Sequence, residues 1–448
     1  SMDVRDMEWQ LRLIRVSQTA FRLGEGHLSW ASYEPMTDPP PATPEALISA
    51  AREVGDRLVE LVFIDDDKAD WICLHLVSSN HWSLRPSDWN FYNGLPGIIL
   101  FLAYLGKVTG ESGYTDLARR GLRSLRGRIP TEEMEVVRLL GLSGLGGIIY
   151  CYCHLGAIWQ DPKLWAEAEA VAETLPEHLD PCPADDIIGG AAGAIAALLA
   201  LHRVTASTRL VEIARRCADH LLSRARTMEQ GLGWAEEEGL ALAGFSHGSS
   251  GYALVLLALA DACHHAPYAE AARETLRYER TLFSEAHGNW HDLRGKQSLQ
   301  EAVDLQSFMV AWCHGAPGIG LARLAMLPFL DTPETRHDLT AALATTLRLG
   351  FGGNHSVCHG DLGNLELILE AGRVLDDPAL RQKAAHIAAS ILASSRQHGW
   401  MCGVPMSVET PGFMTGLAGI GYQLLRLACP ERLPSVLSLA APPVLRSA

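Results

Sequence analysis

Residues 312–320 read Trp312-Cys313-His314-Gly315-Ala316-Pro317-Gly318-Ile319-Gly320, and residues 357–363 read Val357-Cys358-His359-Gly360-Asp361-Leu362-Gly363. In both, Gly-x-x-Gly opens an apolar run with helical spacing. The same pair opens similar runs at Gly94/Gly97, Gly144/Gly147, Gly190/Gly193, Gly248/Gly251 and Gly416/Gly419, with first glycines 45 to 67 residues apart. A single Gly-x-x-Gly carries no information, whereas seven in one context define a degenerate repeat with loop insertions. Upstream of each pair lies a more amphipathic stretch, such as Leu117, Gly121, Leu125 or Leu380, Ala384, Ile387, Ile391. Several of these begin at Asp161-Pro162, Thr332-Pro333 or Asp377-Pro378, where proline suits a first helical turn.

The chain therefore reads as seven helix pairs, each with one amphipathic and one nearly wholly apolar member. A helix that is apolar all round must be buried. An open solenoid would need polar repeats capping its ends. The last run, Gly416 to Leu427, is as apolar as the central ones. The expected fold is all-α, an α/α toroid of seven inner and seven outer helices with short β insertions. Trp71, Cys73, His75 and Val77 alternate within residues 68–90, as in a strand pair, and residues 286–310 form the longest insertion. Two regions are expected: 1–42, an N-terminal helix (Asp6 to Phe21) and proline-rich linker (Pro35 to Pro44), and 43–448, the toroid.

Composition narrows the function. Of 448 residues 48% are hydrophobic, ample for a core, and 37 Lys plus Arg against 52 Asp plus Glu give a net charge of −15. That balance argues against a nucleic-acid or anionic-membrane surface. No apolar run is long enough to span a bilayer, and no signal-peptide core is evident, so a cytoplasmic protein is expected. Ten scattered cysteines then suggest reduced thiols or metal ligands rather than a disulfide framework. Cys217, in the series Leu210, Ile213, Cys217, Leu221, reads as a core residue.

Equivalent loops of a ring lie on one face, so position relative to the repeat glycine locates chemistry. Cys313-His314 precede Gly315 and Cys358-His359 precede Gly360 in the same register; His247 precedes Gly248, and Asp186 stands four residues before Gly190. Four consecutive repeats thus bring thiols, imidazoles and a carboxylate to one mouth. Two thiolates and an imidazole suit Zn²⁺, and three protein ligands leave a fourth position open. His355 would close that position if it were a ligand. Taken singly, each of these residues is as well explained as a core thiol or a helix-start hydrogen-bonder. Cys151, Cys153 and His154 fall inside an apolar helix, where i and i+2 face apart. His264-His265 follow a helix end, and His287-Gly288 lacks the second glycine.

At these residues the sequence resembles the lanthionine synthetase cyclase (LanC-like) family, from about Thr43 to Leu427. Trp312-Cys313-His314-Gly315 and Cys358-His359-Gly360 match its metal motifs; Asp186-Ile187-Ile188-Gly189-Gly190 and Ser246-His247-Gly248 match its acid/base motifs. Met7 to Phe21 and Trp82 to Gly106 are similar to the C-terminal half of class II bifunctional lanthipeptide synthetases, with Asn93 where that subgroup usually has Asp. The resemblance implies a seven-repeat toroid with zinc on Cys313, Cys358 and His359. It further implies addition of a peptide cysteine to dehydroalanine or dehydrobutyrine, forming a thioether ring. An ordinary thiol, with a pKa of about 8.5, is mostly protonated at neutral pH, and metal coordination removes its proton. His247 is the first candidate for the acid that protonates the α-carbon, His314 the alternate, and Asp186 is expected to orient an imidazole or help manage the proton. The implied partners are a dehydrated precursor peptide and a dehydratase, fused or separate. Rival readings are addition of glutathione or another small thiol, and a helical scaffold in which zinc merely fixes two loops. Glycosidases share toroids but need paired carboxylates at the mouth. Residues 1–42 are too short for a second catalytic domain, so a cyclase acting on already dehydrated peptide is expected.

Overall fold

The computed structural model describes residues 30–78, 81–129, 139–235 and 239–443, together with Met7, Gln10 and Ile14, which are helical. The remainder of the Asp6 to Phe21 segment lies outside the described residues.

Seven apolar helices form the inner ring: α2 (Leu95–Thr109), α4 (Leu145–Trp159), α6 (Ala191–Thr205), α8 (Ser249–Cys263), α11 (Ala316–Met326), α13 (Asp361–Val374) and α15 (Leu417–Ala428). Each packs on the next, and α15 packs back on α2, so the ring is closed. The outer helices are α1 (Pro44–Glu60), α3 (Ser112–Arg126), α5 (Pro162–Thr174), α7 (Thr208–Ser223), α9 (Ala266–Thr281), α12 (Pro333–Leu349) and α14 (Pro378–His398). The amphipathic pattern is explained by their apolar stripes: Leu117, Gly121 and Leu125 of α3 and Leu210, Ile213, Cys217 and Leu221 of α7 are buried. Thr43, Asp161, Thr332 and Asp377 cap α1, α5, α12 and α14 through their side chains, each followed by proline.

The pairing differs from the upstream reading. Each of the first six inner helices folds into a hairpin with the outer helix that follows it, and α1 packs against α15, the last inner helix. Four hairpins turn through two residues, the first left-handed: Gly110, Gln160, Ala206 and His264. His264 is therefore a turn residue. Joining the first outer helix to the last inner one ties the two ends of the toroid together.

The expected strand pair is β3 (Ile72–Ser78) and β4 (His81–Pro86), antiparallel with Leu74 opposite Leu84. Buried Trp71 precedes it, its indole N–H donating to the Leu58 carbonyl at 2.9 Å. Residues 283–308 hold a small hairpin, β7 (Phe283–Ser284) with β8 (Asn289–Trp290), and a short helix, α10 (Leu299–Asp304); shorter pairs β1 (Phe63–Asp65) with β2 (Lys68–Asp70) and β5 (Arg226–Thr227) with β6 (Leu232–Gly233) complete the insertions. Residues 30–43 have no regular secondary structure but lie against the ring: Met36 N–H donates to Ser390 Oγ, and Ala42 N–H to the Ala385 carbonyl.

Every inner helix begins at a repeat glycine, and the second glycine of each pair explains the motif. A Cβ at Gly147, Gly193, Gly251, Gly318, Gly363 or Gly419 would sit inside van der Waals contact of a loop carbonyl five or six residues earlier. The loop thus folds over the first turn of its own helix, as close backbone approach requires. Gly315 has the additional demand of φ 91°, which L-residues rarely adopt.

Gly363→Ala should push the Val357 carbonyl, and with it Cys358 and His359, away from α13. We expect a loss of about 2–4 kcal/mol in urea denaturation, whereas Gly113→Ala on α3, with open space around it, should be neutral or stabilising by up to ~1 kcal/mol. Equal effects at both positions would refute this account of the repeat.

Candidate active site

The loops before the inner helices are joined by a chain of backbone hydrogen bonds. Phe91 N–H donates to the Leu142 carbonyl, Leu142 to Ile187, Ile187 to Ser246, Ser246 to Cys313, Cys313 to Cys358, Cys358 to Met414, and Met414 to Tyr92, all between 2.6 and 3.3 Å. Tyr92 follows Phe91, so the chain returns to its start. Side chains two residues before each first glycine include Tyr92, Ser246, Cys313, Cys358 and Met414; those one residue before are Asn93, Ser143, His247, His314, His359 and Thr415. Asn93 accepts from Thr415 Oγ1 at 3.0 Å, joining the first and last repeats where the ring closes.

Cys313 and Cys358, both buried, and half-buried His359 place their ligand atoms within 4.8 Å of one another; among the described residues no other group meets that criterion. His359 Nε2 lies 2.9 Å from the Gly403 carbonyl. A carbonyl only accepts, so Nε2 donates to it and Nδ1 is left to face the sulfurs, the arrangement that orients a metal-binding imidazole. A hydrogen bond from Cys358 holds Cys313 well below the ordinary thiol range, with His359 assisting, and the same bond together with burial pushes Cys358 well up. Full ionisation of both needs a cation between them, which the donor set fits as a zinc site with three protein ligands.

His355 faces elsewhere. It is fully buried, its Nδ1 accepting from Met401 N–H at 3.1 Å and its Nε2 meeting Ser394 Oγ at 3.1 Å. Burial holds it down at about 4, so it stays neutral. Cys151, Cys153 and His154 lie in the core of α4, with Cys151 bonded to the Pro96 carbonyl and His154 to Tyr104. None of these joins the mouth.

Beside the sulfurs stands a second constellation. Asp186 Oδ2 lies 2.6 Å from His247 Nδ1, and Asp186 Oδ1 accepts from Gly189 N–H at 2.6 Å, fixing the carboxylate. His247 and His314 stack with centroids 5.5 Å apart. Burial pulls His247 down, but the hydrogen bond and charge of Asp186 outweigh it and leave the imidazole above its ordinary value. His314 is pushed down to about 4, mainly by burial and also by the Arg294 charge. Of two stacked imidazoles, one is built to hold a proton and the other to remain neutral.

Several residues were not legible as site residues. Tyr92 donates its hydroxyl to Cys358 Sγ at 2.8 Å; it occupies the register of Cys313 and Cys358, and reading that register for all residue types would have found it. Arg294, forked onto Asp292 at 2.6 and 2.9 Å, comes from the 286–310 insertion, and its charge acts on both cysteines. Trp30 sets its ring edge-on to His359, with centroids 5.8 Å apart.

A family model described as lanthionine synthetase C-like protein matches residues 85–438. The lacticin 481/lactococcin biosynthesis protein LcnDR2 of Lactococcus lactis subsp. lactis is 23% identical over 442 residues, covering 94% of this chain and 45% of the relative. The chain thus spans about half the length of that curated relative. Among solved structures, nisin cyclase is similar in fold, with a TM-score of 0.61 and 17% identity over 88% of this chain and 96% of that one. With most of its length matched by the family model, the chain belongs to the lanthionine synthetase C-like protein family.

Proposed function

We propose that this chain is a zinc-dependent lanthipeptide cyclase that adds a peptide cysteine thiol to a dehydroalanine or dehydrobutyrine of the same peptide. The observation that carries the reading is the convergence of Cys313, Cys358 and His359 beside the His247–Asp186 pair at one mouth. Zinc bound to Cys313, Cys358 and His359 would supply the positive charge that converts an incoming thiol to thiolate at neutral pH. Tyr92 draws charge from the Cys358 sulfur by its hydrogen bond. Attack at the β-carbon leaves an enolate whose α-carbon needs a proton, and His247, whose hold on a proton Asp186 strengthens, is the group suited to deliver it. His314, neutral and stacked on His247, forms the wall behind it. The partners would be a dehydrated precursor peptide and a dehydratase acting before this step, in a cytoplasmic setting that suits ten free cysteines. Among the described residues no helix is long and apolar enough to cross a membrane.

The direct test incubates the protein with a synthetic peptide carrying one dehydroalanine and one cysteine, then alkylates remaining thiols. Cyclisation leaves the mass unchanged, so loss of the alkylated product is the readout; full alkylation after long incubation with zinc-loaded protein would refute the proposal. Metal analysis should find about one zinc per chain, since three protein ligands with an open fourth position make one catalytic-type site. Cys313→Ala, Cys358→Ala and His359→Ala should each lose zinc and activity together. His247→Ala should keep its zinc and lose roughly 10²–10⁴-fold in rate; co-loss of metal would move His247 out of the acid role.

The pH profile supplies a separate check. A raised imidazole that must be protonated gives activity that falls as pH rises through its pKa. Asp186→Asn removes the charge and weakens the bond that raise it, so that limb should move to lower pH. A limb that stays in place would free Asp186 from this role.

Tyr92→Phe should leave metal stoichiometry unchanged. In the cobalt-substituted protein, the sulfur-to-cobalt charge-transfer band should move to longer wavelength, because Cys358 becomes the stronger donor. An unmoved band would show that the hydroxyl does not act on the metal site.

A further inference from the structure

Trp30 is the one tryptophan among the exposed large apolar side chains of the described residues, with 54% of its surface accessible. It stands at the mouth, its ring perpendicular to the His359 imidazole. An exposed indole at such a position is held there by the extended segment that follows. Tyr33 N–H donates to the Gly352 carbonyl at 2.9 Å, and Tyr33 O–H to Asp361 Oδ2 at 2.7 Å. Asp361 also accepts from the Gly352 and Gly353 amides. The Tyr33 ring meets His355 edge-on at 5.6 Å. Further along, the Pro39 carbonyl lies 2.6 Å from His386 Nδ1, and the Met36 and Ala42 amides donate to α14.

The strap is therefore bonded to both ends of the 352–361 loop that carries Cys358 and His359. At Gly352, where φ is 104°, a Cβ would stand 2.9 Å from the Tyr33 carbonyl oxygen, so strap and loop pack backbone to backbone. Fixing the strap on the loop fixes Trp30 relative to the candidate metal ligands, and a preorganised aromatic surface is what lowers the cost of binding an apolar group.

We propose that Trp30 is a specificity-determining residue: its indole forms the His359-side wall of the mouth and contacts the side chain adjacent to the reacting cysteine, favouring bulky apolar residues over glycine. This rests on the cyclase reading above. A peptide whose sulfur enters beside His359 carries its neighbouring side chain within a few ångströms of that ring. Indole offers a large apolar face with aromatic stacking geometry. Tyr33 is a positioning residue for Trp30, acting through the Asp361 bond.

The experiment uses the zinc-loaded full chain and two synthetic peptides with one dehydroalanine and one cysteine, differing only in whether phenylalanine or glycine precedes the cysteine. We expect a kcat/KM preference of roughly 10-fold for the phenylalanine peptide, the scale of discrimination by an apolar pocket. Trp30→Ala should bring the ratio to within about two-fold, with the loss mainly on the phenylalanine peptide and zinc content retained. Trp30→Phe should keep most of the preference, and Tyr33→Phe should give an intermediate ratio. A ratio unchanged in Trp30→Ala, an equal loss on both peptides, or loss of zinc would overturn the proposal; the last two would make Trp30 a structural support of His359. If the wild-type chain cyclises neither peptide, the functional reading itself falls, and the role of Trp30 with it.

Discussion

The Cys313 amide donates to the Cys358 carbonyl, and the Cys358 amide donates to the Met414 carbonyl. These are two links of a ring of seven backbone hydrogen bonds that passes through every loop at the mouth. Because the links are made by backbone, they are indifferent to the side chains that ride on them. The chain can place tyrosine, serine, cysteine or methionine two residues before a repeat glycine without altering the loop. Glycine at the second position of each pair lets the loop lie on its own helix, and the apolar inner helices hold the ring below. Chemistry is thereby carried on positions that the fold does not need, which is how one architecture supports a site of defined geometry.

Charge balance at the mouth follows from that placement. The ring brings Cys313 and Cys358 together in a buried setting, where their interaction draws the Cys313 thiol down and, with burial, pushes the Cys358 thiol up. Tyr92 and Arg294 temper the negative charge from two further directions, one from the first repeat and one from the longest insertion. On the other flank, burial alone would make both stacked imidazoles neutral. Asp186 reverses this for His247 only, since its Oδ1 is locked on Gly189 N–H and its Oδ2 is aimed at His247. Two buried sulfurs and a raised imidazole thus coexist one position apart in register because each has its own fixed partner.

What could be read from sequence divides along the same physical line. The toroid was legible because its cause is local: a clash between a Cβ and a carbonyl five or six residues away leaves glycine in the sequence wherever the loop recurs. The capped starts at Asp161, Thr332 and Asp377 were legible for the same reason. The partner of each outer helix was not, because the pairing of α1 with α15 depends on ring closure across the whole chain. Sequence spacing left His355 open as a ligand; only the folded loop turns its ring toward Ser394 and Met401. Arg294 and Trp30 were missed because arginine and tryptophan have many ordinary roles, and their approach to the mouth is created by tertiary contact alone, whereas Tyr92 shares the cysteines' register and was passed over because only thiols, imidazoles and a carboxylate were sought there. The Gly403 carbonyl that fixes the His359 tautomer is a backbone group and leaves no mark in the sequence.

Residues 30–43 give this division a further consequence. From Pro35 onward their composition reads as a linker, since the prolines predict no helix or strand. The folded segment nevertheless spends its backbone amides on the ring, at Gly352, Ser390 and Ala385, in place of bonds within itself. An extended chain has every second residue free to face outward, and fixing it at Tyr33 determines where Trp30 three residues earlier must fall. The anchor is Asp361, buried and hydrogen-bonded to the Gly352 and Gly353 amides as well as to Tyr33. Burial raises this carboxyl to about 6, and these three donors work against that rise by stabilising its charged form. Strap and 352–361 loop consequently share one carboxylate, so a displacement of either is felt by the other, and the segment outside the seven repeats becomes part of the geometry at the mouth.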